Sequence, residues 1–427
     1  MIEQTAADDA TRKRISIVAN YVDRDRLWQR HMEMAEIGGL ANHGVNRQAL
    51  SVEDIAARAR LISWAQVRGF EIAVDSMANL FIRRSGLQAD AAPVLTGSHM
   101  DTQPLGGRFD GIYGVLAGLE VLEALEQTDI QTKRPIELVA WTNEEGSRFT
   151  SGAMGSMVFT GARRLEDCLN VQDSNGVLLR DALAETLAAT PNAVKRELNF
   201  EIAAYVEAHI EQGPRLERAG LQIGVVTGIQ GCRWFDVEVL GETAHAGTAP
   251  LAHRRDALQA ALTIVHALNE LMADETDTIR FTVGRFDVLP NSPNSVANYV
   301  SFSIDFRHPD AAVLERVGDA IAPTCSAAAS RCQVKVTPTF EYAPSGFDPD
   351  VIASIEKAAG RLDLNFMKLP SGAFHDAAFL NDRCPTGMIF VPCEKGISHS
   401  PAENANPDDL AAGAKVLAAT LIDLANR

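Results

Sequence analysis

Apolar and polar positions change rhythm along this chain, and each change marks an element. Ile15, Ile17, Val18, Val22, Leu27, Met32 and Met34 recur at helical spacing, which predicts one or two helices closed by Gly38 and Gly39. SVEDIAARARLISWAQVRGF predicts a further helix, with Ser51 as its cap, Asp54 close to a capping box and Gly69 as its end. Apolar runs near 70–75 and 79–83, at Pro93–Thr96 and at Ile136–Trp141 predict strands. Between the last two, Gly111 to Leu125 predicts a helix. Its Gly114 and Gly118 share a face and suit close packing on a sheet, and no GxGxxG or GxxxxGK[ST] supports nucleotide binding. Residues 161–200 read as helical and polar. AYVEAHIEQGPRLE then reads as a strand delivering His209, Glu211 and Gln212 into a turn at Gly213-Pro214.

After Gly220 the texture alternates, IGVVTGIQGCRWFDVEVLG, as half-buried antiparallel strands do. An amphipathic helix over Arg255–Met272, strands near 279–288 and 299–307, a helix over about 310–322 and a strand over 332–340 follow. That β-α-β-β-α-β order predicts a ferredoxin-like insert. From about residue 345 the α/β texture resumes and ends in a helix, Pro407–Ala425. The fold class is therefore α/β: a mixed, mostly parallel sheet with helices on both faces, interrupted by an α+β domain. The expected boundaries are 1–220 and 339–427 for the outer domain and 221–338 for the insert.

Composition narrows the function classes. The 427 residues are 46% hydrophobic, enough for a large core, and carry a formal net charge of −17. That charge argues against nucleic acid or an anionic membrane as partner. No apolar run reaches about 18 residues, as a membrane span requires. MIEQTAADDATRKR lacks the basic start and apolar stretch of a signal peptide. Cys168, Cys232, Cys325, Cys332, Cys384 and Cys393 show no CxxC spacing, which fits free thiols in a reducing cytoplasm.

The candidate chemistry starts at GSHMDTQPLGGRFDG, residues 97–111, where a strand gives way to a helix. Open α/β sheets place their sites there. This stretch holds His99, Asp101 and Asp110 among glycines; Glu144 and Glu145 end the next strand, His209 ends another, and His399 lies in KGISHSPAEN. Histidines and carboxylates at strand ends can make a two-metal site, in which one carboxylate bridges two divalent ions. One of two adjacent glutamates can then bind metal while the other serves the reacting water as general base. Singly, each residue has an ordinary reading: a hydrogen-bonded histidine, a solvated Glu pair, a capping Asp101, a loop His245, a surface Arg307.

Taken together, GSHMDTQPLGGRFDGIYGVLAGLEVL, WTNEEGSRF, HIEQGPRLE, GETAHAGTAP, PNSVANYVSFSIDFRHPD, SGAFHDAAFL and GISHSPAEN resemble the hydantoinase/carbamoylase branch of the M20 metallopeptidase-like amidohydrolases. The motifs follow the family's order over roughly residues 30–427. The resemblance implies a zinc-peptidase-like fold whose insert serves as lid and dimerisation domain. It implies two divalent ions per subunit, of zinc, manganese, cobalt or nickel, since His and carboxylate ligands suit all four. His99, Asp110 and His209 would hold one ion; Asp110, Glu145 and His399 the other. Glu144 would be the general base, and Asp101 would orient His99 through its carboxylate. His245 would reach the partner subunit's site and stabilise the oxyanion. Asn294 and Arg307 would hold the substrate, Arg307 on its carboxylate, while Gln212, Gly372 and Ala373 line the pocket. The histidine of HIEQG marks this branch, because related M20 peptidases carry a carboxylate there.

Two positions depart from the family. Its NVIPG segment reads Asn294-Ser-Val-Ala-Asn, and Phe374 replaces a glycine in SGAGHDA. Both bear on substrate rather than on metal. The expectation is a cytoplasmic homodimer that cleaves the carbamoyl C–N bond of a small ureido-carboxylate, with N-carbamoyl-L-amino acids first. Allantoate and N-carbamoyl-β-alanine are the alternatives within the branch, and an M20 aminoacylase or dipeptidase is the alternative outside it.

Overall fold

The computed structural model describes residues 13–427. The reading of residues 1–12 as free of a leader pattern lies outside them. In chain order the strands are β1 (Glu71–Val74), β2 (Leu80–Arg84), β3 (Val94–His99), β4 (Ile136–Trp141), β5 (Val194–Lys195), β6 (Ala204–Ile210) and β7 (Ile223–Ile229). Then come β8 (Gly231–Leu240), β9 (Arg280–Leu289), β10 (Tyr299–His308), β11 (Gln333–Tyr342), β12 (Ser345–Gly346), β13 (Phe366–Ser371) and β14 (Thr386–Val391). Two compact units result: the residues up to Gly228 with Phe347–Arg427, and Ile229–Gly346.

The first unit is built on a mixed sheet in the order β7-β14-β6-β3-β4-β2-β1-β5. Its centre, β14-β6-β3-β4, is parallel throughout. Every residue of these four strands is buried, and strands covered on both faces read as continuous apolar runs. The helices Ile112–Gln127 and Pro407–Ala425 share the large core cluster with them and are buried along nearly their whole length. Gly114 belongs to that contact: a Cβ there would sit 2.3 Å from the Ala208 carbonyl oxygen. Asn406 caps the last helix by accepting the Asp408 N–H, and Pro407 fills a first-turn position that needs no donor. Ser51 caps Val52–Val67 as expected, while Asp54 reaches back to the Leu50 N–H.

The chain leaves β3 for β4 on one side and later returns to β6 on the other. That reversal opens a crevice at the carboxyl ends of β3 and β6, and those ends are His99 and the His209-Ile210 pair.

Three expectations change. Residues 161–200 hold only the short helices Leu165–Cys168 and Leu179–Ala188 and the stub β5. Gly161 and Gly176 take positive φ and break the run, while Leu179 and Leu183 pack with Met154 and Phe149. The boundaries fall at 229 and 347 rather than 221 and 339. β7 alternates like the insert but pairs with β14 in the large sheet. The helix expected to stop at 322 runs Ala311–Ala328 through Pro323, because Ile321 and Cys325 on either side are core residues.

The second unit is a four-stranded antiparallel sheet, β11-β8-β10-β9. Asp256 and Asp310 cap the helices Ala257–Leu271 and Ala311–Ala328. Both helices pack on the strands through one core with Val237, Ile264, Phe302, Ile304 and Ile321. Burial alternates strictly along β10, the mark of a sheet covered on one face. Among the described residues, no helix is long and apolar enough to cross a membrane.

Candidate active site

His99 closes β3, and its Nδ1 lies 2.9 Å from the Asp101 carbonyl oxygen. His209 lies near the end of β6, with Nδ1 2.9 Å from the Ile210 carbonyl oxygen. A carbonyl only accepts, so each Nδ1 carries the proton and each Nε2 keeps its lone pair, which in His209 takes the Gly111 N–H at 3.2 Å. The rings are 6.0 Å apart. Gly111 makes this possible: at φ +66° its missing Cβ would lie 2.3 Å from the His99 ring.

Asp110 stands between two sets of partners. Its Oδ1 is 3.3 Å from His209 Nε2, and its Oδ2 is 3.1 Å from His399 Nε2. His399 Nε2 is also 3.4 Å from Glu145 Oε2. The ligand atoms of His99, Asp110 and His209 all lie within 4.8 Å of one another, as do those of Asp110, Glu145 and His399. Glu144 Oε2 lies 3.5 Å from His99 Nε2. Thus residues from four separate stretches of sequence meet at the ends of parallel strands, with Asp110 common to both groups.

Burial dominates the electrostatics. It pushes Glu144 well above the ordinary glutamate range, helped by the charges of Asp376, Glu145, Asp101 and Asp110. Burial and Asp110 raise Glu145 to about 8. Burial lowers His99 to about 4. Asp110 resists the same effect, because His399, His209 and His99 hold it below the ordinary carboxylate range. His399, hydrogen-bonded to Asp110, rises to about 9.

Asp101 does more than face His99. Its carboxylate accepts the N–H groups of Glu144 at 3.2 Å and Glu145 at 3.1 Å and lies 3.9 Å from His99 Nδ1, while its carbonyl oxygen is nearer to that nitrogen at 2.9 Å. The carboxylate therefore fixes the backbone that carries the glutamate pair. Gln212 Nε2 donates toward both Asp110 oxygens and Ser398 Oγ, each at 3.1 Å. At Gly372–Ala373, the Ala373 N–H donates to Ser371 Oγ at 3.1 Å. The Phe374 ring rests edge-on against Phe379, 5.5 Å away.

In the second unit, His245 and Asn294 are brought together from distant sequence. His245 pairs with Ser295 in an isolated bridge, and Ala246 N–H donates to the Asn294 carbonyl at 3.0 Å. His245 is exposed, and its Nδ1 accepts from Gly247 N–H at 3.0 Å and Thr248 N–H at 3.2 Å. An imidazole whose Nδ1 accepts carries its proton on Nε2. Arg307 is held by Asp305, Nε to Oδ1 at 2.9 Å and Nη2 to Oδ2 at 2.7 Å. The two residues share a face of β10 by strand periodicity.

Residues 95–423 match peptidase family M20/M25/M40. The chain belongs to that family. It is 38% identical over 408 residues to an N-carbamoyl-L-amino-acid amidohydrolase of Rhizobium meliloti, covering 95% of this chain and 97% of the relative. It is 35% identical over 384 residues to the allantoate amidohydrolase of Escherichia coli K12, covering 90% and 93%. A solved amidase of the hydantoinase/carbamoylase family from Burkholderia multivorans superposes with a TM-score of 0.90 at 43% identity, covering 96% of this chain and 99% of that one. The M20 chain thus falls in the hydantoinase/carbamoylase branch, within a family of metal-dependent hydrolases.

The donor set suits divalent ions: imidazole Nε2 lone pairs and crowded carboxylates around one shared aspartate. A third grouping, Glu207, His209 and His375, shares His209 with the first. Glu207 already accepts from Ser98 Oγ, Tyr205 OH and the Ala377 N–H, and His375 stacks edge-on under His209 at 4.5 Å, so these residues pack beneath the site. Sequence reading missed them, and it missed Gln103. Gln103 gives Glu145 its N–H at 3.2 Å and its side-chain amide at 2.7 Å. Its place two residues after Asp101 in the His99 loop was the available signal.

Proposed function

We propose that this M20 chain hydrolyses the carbamoyl C–N bond of N-carbamoyl-L-amino acids as a cytoplasmic homodimer with two divalent ions per subunit. The observation that carries the reading is Asp110, whose two oxygens face two ligand groups with Glu144 beside them. His99, Asp110 and His209 would hold one ion, and Asp110, Glu145 and His399 the other. Zinc, manganese, cobalt or nickel would supply Lewis acidity that acidifies water and polarises the carbamoyl oxygen.

The protein's own residues carry the protons. Glu144 takes one from the attacking water and returns it to the leaving nitrogen. Burial and the neighbouring carboxylates raise its proton affinity, which favours its taking the water's proton. Asp101 keeps Glu144 in place through the backbone. The Nε2–H of His245 of the partner subunit would donate to the developing oxyanion. Asn294 and Arg307 would hold the substrate, with Arg307 on its carboxylate. Gln212, Gly372 and Ala373 would complete the pocket.

Allantoate is the second reading, favoured by the Escherichia coli relative. A β-ureidopropionase shares the branch. An aminoacylase or dipeptidase is disfavoured by His209, where the resemblance gives those enzymes a carboxylate. Ammonia release across a panel of N-carbamoyl-L-amino acids, N-carbamoyl-β-alanine, allantoate and N-acyl amino acids tests the assignment. The N-carbamoyl-L-amino acids are expected to give the highest kcat/KM; a preference for N-acyl substrates would sink the reading.

A further inference from the structure

Glu403 lies four residues past His399 and is 1% exposed, yet it belongs to no ligand grouping among the described residues. Its Oε1 accepts the backbone N–H groups of Phe109 at 2.8 Å and Asp110 at 3.1 Å. Its Oε2 takes the Ser398 hydroxyl at 2.9 Å. Ser398 Oγ in turn lies 3.2 Å from Asp110 Oδ2 and 3.1 Å from Gln212 Nε2. Both carboxylate oxygens are therefore committed to donors within the protein. The fit is mutual: a Cβ at Gly107 would lie 2.1 Å from Glu403, so only glycine leaves room for the carboxylate. A second tie, Arg108 Nη2 to Asn404 Oδ1 at 3.2 Å, joins the same two loops.

We propose that Glu403 is a positioning residue, fixing the distance between Asp110 and His399 and so the spacing of the two ion positions. This rests on the metal reading above. Asp110 and His399 both stand on loops rather than on strands, and a loop side chain holds a metal geometry only when its backbone is pinned. Glu403 pins both: it accepts the N–H of Asp110 itself, and it closes the short turn that carries His399. Glu403 stands in no ligand grouping among the described residues, and a purely structural role would not require the carboxylate to meet the ligand's own amide.

The test is metal binding by the full-length protein, stripped and then titrated with Zn²⁺ or Mn²⁺, with elemental analysis and the melting temperature of the metal-free form. Wild type should bind two ions. Glu403→Ala should leave the metal-free melting temperature close to wild type and bind the first ion, but hold the second about 10–100-fold more weakly, the usual cost of losing an outer partner of a ligand. Glu403→Gln, whose amide oxygen can still accept both N–H groups, should recover most of that loss. Gly107→Ala, which displaces the carboxylate without removing it, should weaken the second ion in the same direction. It also serves if Glu403→Ala does not fold. Unchanged second-ion affinity in Glu403→Ala or in Gly107→Ala overturns the proposal. Wild type binding fewer than two ions would overturn the metal reading, and this proposal with it.

Discussion

The ligand cluster of the first unit and the His245–Asn294–Arg307 set of the second are built on opposite plans. In the first, His99, Asp110 and His209 are buried, Glu145 is half-buried and His399 alone faces solvent; both strand-end imidazoles have their tautomer fixed by a carbonyl, and the backbone of the glutamate pair is anchored by Asp101. In the second, His245 and Asn294 are exposed on loops tied to each other only by backbone contacts, and half-buried Arg307 leans on Asp305. On the proposed function, the difference separates two duties. Groups that move protons or hold ions gain from a dry, rigid setting, where electrostatic effects are strong and reorganisation is small. Groups that recognise a substrate must first meet it from water, and they can be exposed and adjustable.

The sharpest break in this comparison is Glu144→Gln. An amide cannot take the water's proton, so kcat should fall by about 10²–10⁴-fold. Elemental analysis should find the ion content unchanged. Near-normal turnover would remove Glu144 as the base and leave the buried cluster as a binding site only.

His245→Ala should cost somewhat less, about 10²–10³-fold in kcat, as expected for one oxyanion donor. Mixing it with Glu144→Gln homodimers should restore activity toward one working site per dimer, because an intact Glu144 on one chain meets His245 of the partner subunit. If mixing restores nothing after verified subunit exchange, His245 does not act across the dimer.

The smallest effect belongs to Arg307→Lys. A lysine replaces the planar fork by a single point charge. KM for an N-carbamoyl amino acid should rise about 10–100-fold, the range for a charge-assisted hydrogen bond, with little change in kcat. The matching carboxamide should be nearly indifferent. Equal losses on both substrates would mean that Arg307 does not read the carboxylate, and the second region would lose its recognition role.

What was legible in the sequence follows from periodicity. The buried strands β3, β4 and β6 announce themselves as apolar runs, and the last helix matches its sequence reading at Pro407 and Ala425. His99 closes β3, His209 is the penultimate residue of β6, and the Glu144-Glu145 pair follows the end of β4 at Trp141 by three residues, not on the strand as expected. The convergence of those ends follows from a parallel sheet. What stayed hidden depends on contacts that leave no periodic trace. Glu403 reads as one more acid in SPAEN, because its partners are backbone amides 293 and 294 residues away. Asp101 reads as a partner for His99, and only the folded loop turns its carboxylate to the Glu144 and Glu145 amides. Asp305 was within reach of sequence reading, since positions two apart on a strand share a face. The run 161–200 misled because its composition favours helix while Gly161 and Gly176 interrupt it.

The strand β14 carries a consequence for how the molecule is made. It lies between β6 and β7 in the sheet, yet it is synthesised after the whole second unit. A chain emerging from the ribosome therefore presents β6 with one flank bare, and β7 without β13 or β14 beside it, until residues 366–391 appear. His399 and Glu403 follow later still. The interrupted domain is thus finished last, after an insert whose own strands and helices are contiguous in the chain. Until then the nascent protein holds His99, Asp110, Glu145 and His209 but lacks His399, so the candidate ligand group around Asp110, Glu145 and His399 is complete only near the end of translation.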